Sequence, residues 1–159
     1  MGEKYTGPNP TDRRKSGTKR SLLVERNGIP IGLAVDGANR HDMKMTKPTL
    51  QSIPVGKPEP TRRRPQNICM DKGYDYPEVH ELLEDWGYTV HIPPRGADVK
   101  KRKKIPGYRS RRWVVERTQS WLNRFRRLLI RWEKKAENYL AMLHLACAWI
   151  TYHAAKLFG

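Results

Sequence analysis

From Arg109 to Lys135 the chain reads RSRRWVVERTQSWLNRFRRLLIRWEKK, with no Gly or Pro to interrupt it. At roughly 100° per residue, Val114, Val115, Thr118, Trp121, Leu122, Phe125, Leu128, Leu129 and Trp132 share one broad arc. Glu116, Arg117, Ser120, Asn123, Arg124, Arg127, Arg131 and Lys134 take the opposite arc. This spacing predicts one long amphipathic helix. Its polar face sets a single acid, Glu116, in a field of arginines, which is too one-sided for a laced salt-bridge surface. By itself that is a solvated basic face on which Glu116 pairs with Arg112 or Arg117. The alternative is a helix laid along a polyanion, holding one carboxylate at the chemistry.

Shorter patterns precede it. Residues 1–20 are basic and punctuated by Gly and Pro, which reads as an N-terminal loop or arm, with one packed domain over 21–159. Ser21–Glu25 and Ile29–Val35 are apolar runs joined through Asn27-Gly28, the turn pair of a tight antiparallel hairpin. Pro30 suits a strand start or an edge position. Asp36–Asp42 reads as a turn, Met43–Ile53 as a short helix interrupted at Pro48, and 54–67 as a Pro-rich basic loop. A short apolar run then leads into Asp71 and Gly73, followed by helical spacing from Pro77 to Trp86 and a strand over Thr89–Ile92. This is a βαβ unit, with Asp71 at the carboxyl edge where open α/β sheets place ligands. In isolation Asp71 is as well explained as a turn or cap residue, and Asp75 as an ordinary turn acid. Glu137–Phe158 is apolar nearly all round, but His144, Thr151, His153 and Lys156 argue against a membrane span. A buried helix or a subunit contact is the better use for it. His144 and His153 read as packing residues. Trp113, Trp121, Trp132 and Trp149 are able to stack on bases, with Trp121 and Trp132 assigned to the core by their arc.

Charge changes the picture. The 159 residues make about one domain, 37% hydrophobic, with 32 Lys and Arg against 16 Asp and Glu and a net charge of +16. Self-repulsion on that scale calls for an anionic partner, nucleic acid first and a membrane surface second. Arginine suits bidentate phosphate contact, and Lys100–Lys104 is a further basic loop. Cys69 and Cys147 stand far apart with no zinc-type spacing, so neither a disulfide framework nor a structural metal is indicated, and the cytoplasm is the expected compartment. The polar stretch from Gly2 to Arg20 is no signal peptide.

Three segments, GPNPTDRRKSGTKRSLLVERNGIPIGLAVDGANRHD, MDKGYD and RRWVVERTQSWLNRFRRL, resemble in this order the C-terminal half of the catalytic domain of bacterial DDE transposases of the insertion-sequence-five kind. The likeness runs from about Gly7 to the last helix. It implies an α/β, ribonuclease H-like (RNase H-like) fold with two Asp and one Glu holding a two-metal Mg²⁺ (or Mn²⁺) site. In that likeness Asp71 corresponds to the second acid and Glu116 to the third, each both catalytic and metal-binding. Arg112 corresponds to the Arg three residues before that Glu. Arg112, Arg117, Arg124, Arg127 and Arg131 then line a DNA track, with no membrane involved.

The pattern also departs from the family. Tyr108 stands one residue too early, and Asn123 occupies a basic position with Arg124 next to it. The family's first acid lies upstream of the GPNPTDR piece. Asp12 belongs to that piece, and neither Asp36 nor Asp42 occupies the matching position. The resemblance therefore implies a fold lacking its first strand. It also implies an upstream transposase half, or a second reading-frame product, as a partner besides double-stranded DNA, with a homodimer as a further option. A frame-split product and a decayed remnant both fit. Metal-dependent strand cleavage and transfer belongs to the complete protein. The isolated chain is expected to be weak or inactive, and non-specific DNA binding without catalysis is the alternative.

Overall fold

A computed structural model describes residues 4–56, 58–94 and 112–156. In chain order its elements are β1 (Gly7–Pro8), β2 (Ser16–Val24), β3 (Pro30–Gly37), α1 (Asp42–Gln51), β4 (Gln66–Cys69), a 3₁₀ turn (Lys72–Tyr74) and α2 (Pro77–Asp85). There follow β5 (Tyr88–His91), α3 (Arg112–Asn123), α4 (Arg126–Leu129) and α5 (Ala136–Lys156). The class is α/β, as expected. Two compact units divide the chain: Met1–Pro54 with Val114–Gly159, and Val55–Trp113.

In the first unit the hairpin forms through Asn27-Gly28, and Gly28 takes a φ of 88° that disfavours any side chain. β2 and β3 pair antiparallel, Leu22 opposite Leu33 and Thr18 opposite Gly37. The strand starts at Ser16 rather than Ser21, because Ser16 and Gly17 also pair with β1. Part of the supposed arm is thus sheet. The two faces of the hairpin are covered differently. On one, α1 comes so close that a Cβ at Gly32 would lie 2.7 Å from the Thr49 carbonyl. Ser52 Oγ accepts from Leu33 N at 2.7 Å and Thr49 Oγ1 donates to Ser21 Oγ at 2.8 Å, so polar groups close that layer. α1 runs unbroken through Pro48. On the other face, Leu33 joins Leu122, Leu128, Tyr139, Leu143 and Ala146 in the main core.

That core explains the largest departure from the sequence pattern. The long basic helix is not continuous. α3 stops at Asn123, Phe125 is extended (φ −82°, ψ 102°), and α4 is a single turn. Leu122 is fully buried in the last turn of α3, and Leu128 is buried in α4. The break re-aims Leu128 against α5, and in exchange Leu129 and Trp132, both on the apolar arc, become exposed. α5 buries Ala136, Tyr139, Leu143 and Ala146. His144 and His153 lie on its exposed side, where the His153 ring packs against those of Trp149 and Tyr152.

The second unit is the expected βαβ motif. β4 and β5 run parallel, Gln66 opposite Tyr88 through Cys69 opposite His91, and α2 crosses between them. Pro77 opens α2, and Ile68, Val79 and Leu83 form its small core. Gly87, at φ 76°, ends the helix and admits the turn into β5. Among the described residues, β4 is hydrogen-bonded to a strand on one side only.

Candidate carboxylates and nucleic-acid interface

Asp71 stands two residues beyond the end of β4, at the carboxyl edge of the parallel pair. Its Oδ1 accepts from Gly73 N at 2.7 Å, capping the 3₁₀ turn. The cap fixes the carboxylate at the strand end, so the capping role and a ligand role use the same placement. Nearby, Asp75 Oδ1 lies 3.1 Å from His80 Nε2, an interaction within the βα turn and the first turn of α2.

Glu116 is exposed on α3. What holds this helix was not legible in the sequence. Thr118, with no exposed surface, donates from Oγ1 to the Gly28 carbonyl at 2.6 Å. Arg117 Nη2 donates to the Asn27 carbonyl, and its guanidinium stacks on Trp121 at 4.9 Å from the ring centre. Both carbonyls of the Asn-Gly turn are thereby pinned to the helix that carries Glu116. Arg20 adds a third tie, from Nη2 to Asn123 Oδ1 at 2.7 Å. The Asn27-Gly28 pair signalled a turn; nothing in its sequence signalled a docking partner ninety residues away.

The arginines differ in their commitments. Arg131 Nη1 donates to Thr18 Oγ1 at 2.8 Å and to the Lys4 and Tyr5 carbonyls at 3.2 and 3.3 Å. Its Nε donates to the Glu133 carbonyl at 3.0 Å, and the guanidinium lies 5.4 Å from the Tyr139 ring centre. Burial raises the Tyr139 phenol, with Arg20 and Arg131 pulling it the other way. Arg127 Nη2 is 2.9 Å from the buried carboxylate of Glu133 but remains largely exposed itself. Arg124 is exposed at the α3–α4 break. Arg112 heads α3, while its side chain, Tyr108 and the Lys100–Lys104 loop lie outside the described residues.

Of the other acids, Asp36 is held by Arg40 Nε at 3.3 Å and accepts from Gly37 N, and Asp42 pairs with Lys19 at 3.0 Å. Asp71 belongs to one compact unit and Glu116 to the other. Among the described residues, no three His, Cys, Asp or Glu side chains gather as a metal cage. None of the described helices is long and apolar enough to cross a membrane.

Comparison with known proteins identifies the family. The family model described as transposase DDE domain matches residues 2–151. The chain is also 36% identical, over 157 residues, to a putative transposase for insertion sequence element IS402 from Burkholderia cepacia. That alignment takes in 98% of this chain and 72% of the relative. No solved structure matches. The match over nearly the whole length, on a fold of the α/β class, places this chain in the DDE transposase family of bacterial insertion sequences.

Proposed function

We propose that this chain is a catalytic segment for DNA transposition, in which Asp71 and Glu116 contribute carboxylate ligands to strand cleavage and transfer at insertion-sequence ends. The single observation that carries the reading is Asp71 capping a turn at the carboxyl end of a parallel strand, within a chain that matches the DDE domain from residue 2 to 151. Carboxylate oxygens are the hard donors that Mg²⁺ or Mn²⁺ prefers. Two of them do not make a cage, and neither unit gathers a third among its described residues. The family resemblance assigns the third donor to an upstream half whose strand bears the first Asp. The one-sided pairing of β4 is in keeping with such a strand, since a bare edge is a template for pairing. The fold completed in this way is RNase H-like.

When bound, the metal ions supply charge stabilisation for in-line displacement at phosphorus. The chain's own residues position the DNA and the carboxylates. The Thr118 and Arg117 contacts to the hairpin turn keep the Glu116 helix in place. Phosphate contact falls to the exposed Arg124 and Arg127 and to Arg112 at the start of α3, while Arg117 and Arg131 brace the fold. Such contacts position a duplex without reading its sequence. A second reading, DNA binding without catalysis, draws on the same lack of a three-ligand cluster among the described residues.

The test is cleavage of insertion-sequence end DNA by the chain joined to its upstream half, with Mg²⁺ or Mn²⁺. Asp71→Asn keeps a capping oxygen and Glu116→Gln keeps the shape; each is expected to abolish cleavage and leave DNA affinity within a few-fold. Cleavage that survives both substitutions refutes the assignment. Robust cleavage by the chain alone, lost in Asp36→Ala, shows that the first acid lies within it.

A further inference from the structure

We propose that the tip of the β1–β2 hairpin, Arg13-Arg14, is a second phosphate-binding element for duplex DNA, separate from the arginines of α3 and α4. The inference rests on the reading that this chain works on DNA, and not on the roles given to Asp71 and Glu116.

Among the described residues, those other than glycine at positive φ are Tyr5 at 61°, Arg13 at 48° and Arg14 at 58°. Left-handed backbone crowds the Cβ of an L-residue, so it persists only where something else answers for it. At Tyr5 the answer is local. Its carbonyl accepts from Thr18 Oγ1 at 2.8 Å and from Arg131 Nη1 at 3.3 Å. At the hairpin tip, Lys15 N donates to the Asp12 carbonyl at 2.9 Å. Asp12–Lys15 is thus a tight turn with positive φ at both central positions, the type I′ pattern. That pattern favours Asn followed by Gly, and here two arginines fill it.

The rest of the loop braces this shape. The Asn9 carbonyl accepts from Arg14 N at 3.0 Å, and Asn9 N donates to the Lys15 carbonyl at 2.8 Å. Asn9 Oδ1 accepts from Thr11 N and Oγ1 at 3.1 and 2.8 Å. The acid of the tip, Asp12, is answered by Lys15 at 3.7 Å. Both guanidinium groups are left over. They are exposed, and among the described residues they make no hydrogen bond, ion pair or ring contact. The turn by itself would be better served by Asn-Gly, so the two side chains have a use outside the fold. Charge held out on a braced, strained turn is preorganised for an anion.

Position selects the duplex. The bonds from Arg20 Nη2 to Asn123 Oδ1 and from Arg131 Nη1 to Thr18 Oγ1 fix the start of β2 beside the α3–α4 break. Arg124 and Arg127 are exposed there. Four residues separate Thr18 from Arg14, at most about 13 Å of chain at roughly 3.3 Å each. Both arginine pairs therefore fall within about 34 Å, one turn of a duplex. Guanidinium forks match phosphate oxygens, and the backbone of one duplex presents such oxygens over that whole span.

The test is duplex DNA binding by the full chain at several salt concentrations, set beside thermal unfolding. Arg13→Asn with Arg14→Gly relieves the backbone and removes both charges. It is expected to raise the unfolding midpoint by a few degrees. At about 0.15 M salt it is expected to weaken DNA affinity roughly tenfold or more, and to lower by about two the slope of log affinity against log salt. A purely structural turn moves the first readout and not the second. Arg13→Lys with Arg14→Lys keeps both the charge and the strain, and is expected to hold the slope and the midpoint. DNA binding unchanged in the first double variant overturns the proposal, as it would if the tip met an acidic protein instead. Loss of the slope in the lysine pair overturns the phosphate assignment, and a first double variant no more stable than wild type overturns the strain. Arg124→Ala separates this site from α3: if it alone lowers the slope, the tip falls and the α3 track stands. If the wild-type chain shows no salt-dependent binding, both fall.

Discussion

Thr118→Val isolates the bond that docks the hairpin turn on the Glu116 helix. Threonine and valine have the same shape, so the substitution exchanges a hydroxyl for a methyl and leaves packing unchanged. The lost donor is the one that reaches the Gly28 carbonyl at 2.6 Å, from a side chain with no exposed surface. That carbonyl is left facing a methyl group, a loss of about 1–3 kcal/mol. Helix propensity contributes almost nothing, because Thr and Val rank together. Thr118→Ser keeps the donor and removes one buried methyl, costing about 1 kcal/mol. The expected order of stability is therefore wild type, then Ser, then Val. Packing alone predicts the reverse, since Val fills the site and Ser opens a void. Urea or thermal unfolding followed by tryptophan fluorescence measures this, at roughly 4–8 °C per kcal/mol for a unit of this size. Glu116 is two residues upstream on the same helix, so cleavage by the completed protein is expected to fall in the same order. A Val variant as stable as wild type, or a Ser variant less stable than Val, refutes the claim that this hydrogen bond fixes the helix.

Arg131→Met is expected to cost roughly 2–4 kcal/mol, because it removes donors from the Lys4, Tyr5 and Glu133 carbonyls and from Thr18, together with the Tyr139 contact. Arg124→Ala is expected to change stability by less than about 0.5 kcal/mol but to lower by about one the slope of log affinity for duplex DNA against log salt; equal behaviour of the two variants in both assays contradicts their separate roles. Burial pushes the Cys147 thiol up to about 11, so near pH 8 a thiol reagent is expected to modify exposed Cys69 quickly and Cys147 only on unfolding. The folded state holds the Cys147 proton more tightly than the unfolded chain does, so its contribution to stability is intact below about pH 9 and falls as pH rises towards 11. Comparing unfolding of wild type and Cys147→Ala across that range checks the sign.

Whatever depends on neighbouring residues was legible in the sequence. The Asn27-Gly28 hairpin, the helix opened by Pro77 and closed at Gly87, and the flanking parallel strands all follow from turn chemistry and hydrophobic period. Asp71 could be placed at a strand end for the same reason, and three short segments in order gave the family. The commitments of the arginines were not legible. Arg131 and Arg124 both fall on the polar arc, yet only the fold brings the Lys4 and Tyr5 carbonyls to Arg131.

The break after Asn123 shows why the sequence stops short. Every residue from Arg112 to Trp132 tolerates a helix, so local preference has no reason to end one there. The interruption follows from the requirement that Leu122 and Leu128 both reach the core that Tyr139 and Leu143 of α5 help to build. Burial of side chains distant in sequence outweighs a propensity difference of a few tenths of a kcal/mol per residue. By itself the sequence determined the local elements, the charge and the kinship of this transposase chain. Only the tertiary structure decided which apolar residues face inward, which arginines brace the fold, and which face of α5 is left outside.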